Sequence, residues 1–229
     1  MTAITEGDIA GLVGVYGYVF SVLGLTWILR HRLAQPRKLI HVLAGGIVFF
    51  WWTFDSREVM AGLAAFPFVI ILLLATPRSP VRLLRDGPLG LTSEKGHRYG
   101  LVMYAVSWTV IAYFMFDNIL AASIAVAAMS FGDGMAEAVG HRYGRIVYLR
   151  GRTVEGTLAA FACATASVAV LVWFYSEAIG RAEFAPEQPL LFAAAIGAFI
   201  SVVEAVTPGS IDNLAVPLVT GGYLTTLGV

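Results

Sequence analysis

Eight long apolar segments, separated by polar loops, limit what this chain can fold into. A helix that crosses a bilayer needs about 20 apolar residues, and these runs approach or reach that length. The chain has 229 residues and is 58% hydrophobic, which is more than a water-soluble domain uses. We therefore predict an all-α integral membrane protein: a single polytopic domain over residues 1–229, a bundle of seven to eight transmembrane helices. The segments are 10–29, 39–54, 59–76, 99–116, 118–138, 154–175, 189–206 and 214–228.

Two of these segments, the second and the eighth, are short for a full crossing. The sequence therefore leaves them open as spanning, tilted, re-entrant or interfacial helices. Residues 77–98 contain three prolines, which predicts a loop with a short amphipathic piece. The first ten residues contain no Lys or Arg, unlike a cleaved signal peptide, so the first span is expected to stay in the protein. The single cysteine, Cys163, excludes an intrachain disulfide.

The distribution of Lys and Arg predicts the orientation in the membrane. The loops after the first, third and fifth segments are basic, whereas only Arg57 and Arg181 fall in the others. Because cytoplasmic loops carry the excess of positive charge, these three loops are expected to be cytoplasmic and both termini to lie on the opposite side. With eight spans, the loop that contains Asp212 and Asn213 is cytoplasmic as well. The basic residues are Arg30, Arg32, Arg37 and Lys38; Arg78, Arg82, Arg85, Lys95 and Arg98; and Arg142, Arg145, Arg150 and Arg152.

Two carboxylates, Asp133 and Glu137, follow directly on the apolar run of the fifth segment. Their spacing of four places them one turn apart on one helix face if the helix continues. An ionisable residue at membrane depth is costly and indicates a functional site. The pair suits Mg²⁺, which takes one or two carboxylates together with substrate phosphates. Two other interpretations stay open: the helix ends at Gly132, or the acids pair with nearby arginines.

Cations suited to phosphate occur in two regions. Residues 140–157 are rich in Gly and Arg and lead into a helix N-terminus, where anions are favoured. In the second region, Arg37, Lys38 and His41 share one face of a predicted helix start. Alternatively, the arginines only set topology, His41 only anchors its span, and Ala136, Gly140 and Gly144 form only a small-residue packing stripe. The candidates in residues 140–157 are Arg142, Arg145, Arg152, Thr153 and Glu155.

Further candidate ligands lie near the end of the chain. Glu204 lies inside the seventh apolar run, which favours a function over a surface position. Asp212 and Asn213 follow it as further metal or nucleotide ligands, or as an ordinary turn. Residues 94–100 are expected to form a solvated loop, with a weaker indication that they line the same site. The chain lacks the GxxxxGK[ST] motif of P-loop proteins and the protein-kinase motifs.

Four ordered blocks within residues 36–217 resemble the CTP-dependent polyprenol kinase family, which comprises dolichol kinase, phytol kinase and the yeast-type diacylglycerol kinase. The blocks are Arg37-Lys38-x-x-His41; Gly132-Asp133-Gly134-x-Ala136-Glu137-x-x-Gly140-x-x-x-Gly144; Arg152-Thr153-x-Glu155-Gly156-Thr157; and Val203-Glu204 followed by Asp212-Asn213-Leu214-x-Val216-Pro217. Glu137 stands where many relatives have Asp or a small polar residue, and Arg152 stands where Lys is frequent.

The resemblance implies a lipid-alcohol kinase that uses CTP as co-substrate and Mg²⁺ as cofactor. The acceptor would be a polyprenol, phytol, geranylgeraniol or diacylglycerol, taken from the bilayer at the cytoplasmic face, and no nucleic acid is involved. Two alternatives stay open, a cytidylyltransferase-like enzyme that forms a CDP-lipid and an ion-coupled transporter. The catalytic candidates are Asp133, Glu137, His41 and Lys38; the nucleotide or phosphate contacts are Arg37, Lys38, Arg142, Arg145, Arg152, Thr153, Glu155 and Asn213; and the metal ligands are Asp133, Glu204 and Asp212.

Overall fold

The computed structural model describes residues 3–33, 36–93, 99–182, 184, 186–209 and 211–229. It is 77% helical, which confirms the all-α prediction apart from one short β-hairpin in the described part of the chain. The chain divides into two compact units, Met1–Phe116 and Asp117–Val229, and each is described by itself. The single domain stays a prediction. Most of the loop at residues 94–100, predicted as a weak candidate, lies outside the described residues.

The first unit is built from helices in sequence order. The helix α1 begins after a capping box in which Thr5 and Asp8 exchange side-chain and backbone hydrogen bonds. Ser56 caps α3, whose first turns continue through a π-helical turn into α4. The predicted loop with a short helical piece is confirmed by α5 and the 3₁₀ helix that follows it. The elements are α1 Glu6–Leu29, α2 Pro36–Ala44, a 3₁₀ helix Gly45–Thr53, α3 Arg57–Val59, a π-helical turn Met60–Ala65, α4 Phe66–Leu74, α5 Arg82–Arg85, a 3₁₀ helix Pro88–Thr92 and α6 Gly100–Phe114.

The short second apolar segment changes from an α-helix to a 3₁₀ helix, which increases its length. Its first half is α2 and its second half is the 3₁₀ helix Gly45–Thr53. At about 1.5 Å per residue in the α-helix and about 2.0 Å in the 3₁₀ helix, the two pieces together cover roughly 31 Å. The segment runs antiparallel to α1, since the Tyr18 hydroxyl donates to the Leu43 carbonyl at 2.7 Å and Asp8 accepts from the backbone amides of residues 55 and 56. This segment therefore reaches the thickness of a bilayer core.

The core of the first unit is aromatic. The Trp51 and Trp108 rings are stacked with centroids 6.3 Å apart, and Phe68 stacks on Trp108 at 5.6 Å. Trp51 has no exposed surface. Small residues on α1 allow the broken second segment to come close, because an added Cβ at Gly11 would lie 2.6 Å from the Phe54 ring.

The second unit contains four helices and the hairpin. Asn118 caps α7 by accepting from the Ala121 amide, Thr153 caps α8 by accepting from the Gly156 amide, and Pro189 occupies the first turn of α9. The elements are α7 Ile119–Tyr143, β1 Val147–Leu149, β2 Arg152–Thr153, α8 Val154–Val172 continued by a π-helical turn Trp173–Ala178, α9 Pro189–Val206 and α10 Asp212–Thr226.

The helix α7 forms the centre of the second unit. In its most apolar window, 72% of the residues are buried, compared with 28% for α8 and 39% for α9. In the interior, the Ser123 hydroxyl donates to the Tyr175 hydroxyl at 2.9 Å. Although α10 is short, it starts near the hairpin and its carboxyl end reaches the beginning of α7, where the Asn118 side-chain amide donates to the Val229 carbonyl.

Five helices in the described part of the chain are long and apolar enough to cross a membrane. This confirms the prediction of a helical membrane protein. The other three apolar segments are also helical, but each is too short or too interrupted to count in the same way. The number of eight spans therefore stays a prediction. The five helices are Glu6–Leu29, Arg57–Leu74, Ile119–Tyr143, Val154–Ala178 and Pro189–Val206.

Candidate functional site

The helix α7 carries both predicted carboxylates on one face. It continues without a break from Ile119 to Tyr143, so the interpretation in which it ends at Gly132 is wrong. Asp133 and Glu137 are each half-buried and one turn apart. The Glu137 Oε1 atom lies 3.5 Å from Nε2 of His141, one turn further on, where arginines were the expected partners. Glu137 thus has a local partner on the same helix.

Close packing of α7 against α8 defines how deep the two acids lie. A Cβ added at Gly132 would contact the Ala160 carbonyl at 3.6 Å, and one added at Gly156 would lie only 2.7 Å from the Ala136 carbonyl. Glu137 is therefore level with the first turn of α8, and Asp133 is about one turn deeper. The small residues at positions 136 and 140 form this contact, which confirms the packing interpretation of that stripe.

The Gly- and Arg-rich region after α7 is a β-hairpin. The strands β1 and β2 pair antiparallel, and the two residues between them, Arg150 and Gly151, have φ of 48° and 82°. Positive φ at both central positions is the geometry of a type I′ turn, which fits the twist of a two-residue hairpin. Sequence reasoning missed this hairpin, because Arg-Gly is a weak turn pattern beside the usual Asn-Gly or Asp-Gly.

Two residues predicted to contact phosphate hold the backbone around this hairpin. The Thr153 hydroxyl accepts from the Gly156 amide at 3.1 Å and caps α8. The Glu155 carboxylate accepts from the Arg145 and Ile146 amides at 3.1 and 3.4 Å. A carboxylate bound to two amides stabilises the residues that enter β1. In this structure Glu155, in the first turn of α8, orients the backbone of Arg145, and this role explains an acid beside the basic hairpin.

One ion-paired group contains three predicted site residues: Arg152, Glu204 and Asp212. The Arg152 guanidinium forms an ion pair with Glu204, lies 4.0 Å from the Asp212 carboxylate and donates to the Thr207 carbonyl at 3.1 Å. The Glu204 side chain is 3% exposed and that of Arg152 is 19% exposed. The adjacent Asn213 is buried, and its backbone amide donates to Asp212 at 2.8 Å.

Arg150, which sequence reasoning used only for topology, also belongs to this end of the unit. It donates to the Val206 carbonyl at 3.1 Å, beside the bond from Arg152 to residue 207. The last carbonyls of a helix lack intrahelical partners, and cations are favourable there. The hairpin therefore caps the carboxyl end of α9 with two arginines, and it brings together the loops after the fifth and seventh apolar segments.

The three predicted metal ligands do not form a cluster of carboxylates in this structure. In the described ranges, no group of three or more His, Cys, Asp or Glu side chains is placed to hold a metal ion. Asp133, Glu204 and Asp212 thus form no three-carboxylate site, because the last two share the Arg152 guanidinium. Magnesium can also be held by a single carboxylate together with the phosphates of a substrate.

The second group of predicted cations lies in the first unit. Arg37, Lys38 and His41 are within α2, which confirms the helical spacing on which their grouping was based. His41 is 5% exposed and its ring meets the Tyr104 ring edge-on, with centroids 5.5 Å apart. The Nε of Arg37 is buried and makes no hydrogen bond within the described part of the chain. A buried guanidinium donor without an acceptor is costly, and an anionic ligand is one group that satisfies it.

The chain matches no protein-family model, no curated protein and no solved structure. The resemblance to the polyprenol kinases therefore rests on the four sequence blocks. The site geometry above comes from this chain alone.

Proposed function

We propose that this protein is a lipid-alcohol kinase that transfers the terminal phosphoryl group of a nucleoside triphosphate to a prenol-type alcohol in the bilayer. The resemblance to the polyprenol kinases indicates CTP as the donor. The observation that carries the proposal is the half-buried Asp133, held within a membrane helix that leads into a basic hairpin. A carboxylate at this depth is costly in a membrane helix and therefore indicates a function. The basic hairpin at the same end of α7 provides the cations that a phosphate-handling enzyme needs.

The proposed topology has eight spans, with the basic loops and the hairpin on the cytoplasmic side and both termini on the other. Two observations support this count. The second segment covers about 31 Å because half of it is a 3₁₀ helix. The last helix, α10, extends from the Arg152 group to the start of α7. In this orientation the nucleotide arrives from the cytoplasm, and the alcohol enters sideways from the lipid.

In the proposed reaction, the alcohol oxygen attacks the terminal phosphorus and forms the new P–O bond. The bond from that phosphorus to the bridging oxygen breaks, and the electron pair leaves with the nucleoside diphosphate. The hydroxyl proton passes to a base, for which Asp133, Glu137 and His41 are the candidates. Such transfers depend on positioning and on charge stabilisation. Asp133 would hold magnesium together with the nucleotide phosphates, and the bound ion would neutralise phosphate charge.

The chain's own residues have separate tasks in this proposal. Arg145 faces solvent at the entry to the hairpin, where Glu155 orients its backbone. In the proposal, the Arg145 side chain contacts the nucleotide phosphates. Arg152 has less charge to offer, because Glu204 and Asp212 already balance it. We therefore propose that five predicted site residues mainly stabilise the structure around the hairpin. They are Arg152, Thr153, Glu204, Asp212 and Asn213. Arg37 and Lys38 in α2 are proposed as further phosphate contacts.

The test is a transfer assay with purified protein in lipid nanodiscs, labelled CTP, UTP or ATP, and a panel of prenols and diacylglycerol. Asp133→Asn should abolish phosphorylation while it leaves folding and insertion intact, and Asp86→Asn in an exposed loop serves as the matched control. Nucleoside diphosphate as the released product supports a kinase, and pyrophosphate indicates the cytidylyltransferase alternative. No product with any alcohol, or full activity of Asp133→Asn, would refute the proposal.

A further inference from the structure

The hairpin between α7 and α8 exposes an apolar surface. Ile146, Val147, Tyr148 and Leu149 are all between 37% and 65% exposed, so residues on both faces of β1 keep exposed apolar surface. The Tyr148 hydroxyl shares a hydrogen bond of 2.6 Å with the Thr157 hydroxyl of α8, and the Tyr148 side chain stays 46% exposed. Successive residues of a strand point to opposite faces, and a strand buried against the protein would hide one of them. Exposed apolar clusters of this kind mark sites of contact with another molecule or with a membrane.

The position of the hairpin identifies the contact. The hairpin connects α7 and α8, and both helices are long and apolar enough to cross a bilayer. With 25 residues, α7 is roughly 37 Å long, whereas the hydrocarbon core is about 30 Å thick. The end of α7 and the hairpin that follows it therefore lie at the depth of the lipid headgroups. Aromatic residues such as Tyr143 and Tyr148 prefer this depth.

The charges of the same segment match an anionic lipid. Residues 138–154 contain four arginines and no acidic residue. The Arg142 guanidinium lies over the Tyr143 ring, 5.3 Å from its centroid, and both side chains are exposed. Arg150 at the hairpin tip is exposed, and its Nη1 atom donates to the Val206 carbonyl. Arg pairs well with phosphate oxygens, and each basic residue near an anionic surface adds to binding.

We propose that the hairpin is an interfacial anchor, in which the apolar strand β1 inserts among lipid headgroups and Arg142 and Arg150 bind the phosphates of anionic phospholipids. Arg142 was predicted to contact nucleotide phosphate, and its exposed place beside Tyr143 suits a lipid phosphate better. This anchor involves neither Asp133 nor a nucleotide, and it leaves Arg145 as the hairpin cation for the proposed phosphoryl transfer.

The insertion is tested with a fluorescent bimane label on the full-length protein in nanodiscs. The label is attached to Tyr148→Cys in a Cys163→Ala background, and Val147→Cys provides a second position should the first variant fold poorly. The water-facing control is Asp86→Cys, whose native side chain is 62% exposed in a loop. Phosphatidylcholine with brominated chains should quench the hairpin label at least several-fold more than the loop label. Aqueous iodide should show the reverse order.

The headgroup preference is tested with brominated phosphatidylglycerol diluted into phosphatidylcholine. Arg142→Gln and Arg150→Gln should each raise the mole fraction of phosphatidylglycerol needed for half-quenching by about fivefold. The same variants should leave quenching by brominated phosphatidylcholine unchanged. Arg32→Gln, at an exposed position after α1, is the matched control and should change neither value.

Three results would overturn the proposal. If iodide quenches the hairpin label as strongly as the loop label, the strand lies in water. If neither iodide nor brominated lipid quenches it, protein covers the strand, for example a second copy of the chain. If brominated phosphatidylglycerol and brominated phosphatidylcholine reach half-quenching at the same mole fraction, the hairpin does not recognise anionic headgroups.

Discussion

Removal of Arg152 should destabilise the protein far more than removal of its neighbour Arg150. The Glu204 carboxylate is 3% exposed, and Arg152 is its ion-pair partner. When one partner of a buried ion pair is lost, the uncompensated charge costs about 3–5 kcal/mol. Arg152 is 19% exposed, so water reaches part of the pair and the lower end of that range applies. We expect Arg152→Met to lower the free energy of unfolding by about 3 kcal/mol.

Arg150→Met is the matched control, because Arg150 occupies the same hairpin and donates one hydrogen bond to a helix carbonyl at 3.1 Å. Loss of one such bond at an exposed position should cost about 1 kcal/mol. The measurement is reversible unfolding in bicelles, followed by circular dichroism during titration with sodium dodecyl sulfate. Each variant is compared with the wild type for the free energy of unfolding.

The double variant Arg152→Met with Glu204→Met separates the ion pair from other contacts. Since a buried ion pair replaced by apolar residues is often neutral, the double variant should be more stable than Arg152→Met alone. Equal losses for Arg152→Met and Arg150→Met, or additive losses in the double variant, would refute the reasoning, because the Glu204 charge would then need no buried partner.

Three further predictions concern the second unit. Gly156→Ala should destabilise by about 1–3 kcal/mol, because its Cβ would lie 2.7 Å from the Ala136 carbonyl, whereas Gly222→Ala, which has open space, should not destabilise; both are measured by unfolding in bicelles. Tyr175→Phe should cost about 0.6 kcal/mol in the same assay, since it leaves the buried Ser123 hydroxyl without this acceptor. Glu155→Ala should loosen the entry to β1 and speed amide exchange at residues 145 and 146, whereas unchanged exchange there would show that its carboxylate does not hold them.

The helix positions follow from the sequence because membrane solvation imposes them. Without water, every backbone group in the hydrocarbon must bond within its own helix, so each apolar run becomes helical. All eight predicted apolar segments are helical, and the spacing of Asp133 and Glu137 on one face follows directly. Caps at Thr5, Asn118 and Thr153 are local and readable as well.

The hairpin and the ion-paired group could not be predicted in the same way. Arg152 and Glu204 are 52 positions apart, and only the packing of α8 against α9 together with the β-turn brings them into contact. Sequence reasoning assigned Arg152 to phosphate and Glu204 to metal because each was considered alone. The contact changes the charge that each has available, and it explains how an acid is tolerated inside an apolar helix.

The amino-acid sequence was therefore sufficient to predict a helical membrane protein, the segments that become helices, and the acids and cations in unusual positions. The tertiary structure decided how those charges are shared. It paired Arg152 with Glu204 and Asp212, bound Glu155 to backbone amides and left Asp133 half-buried on α7. The two kinds of feature differ in the sequence separation of the residues that form them. Helix formation depends on residues a few positions apart, whereas ion pairs and hairpin caps depend on contacts between segments that are distant in sequence.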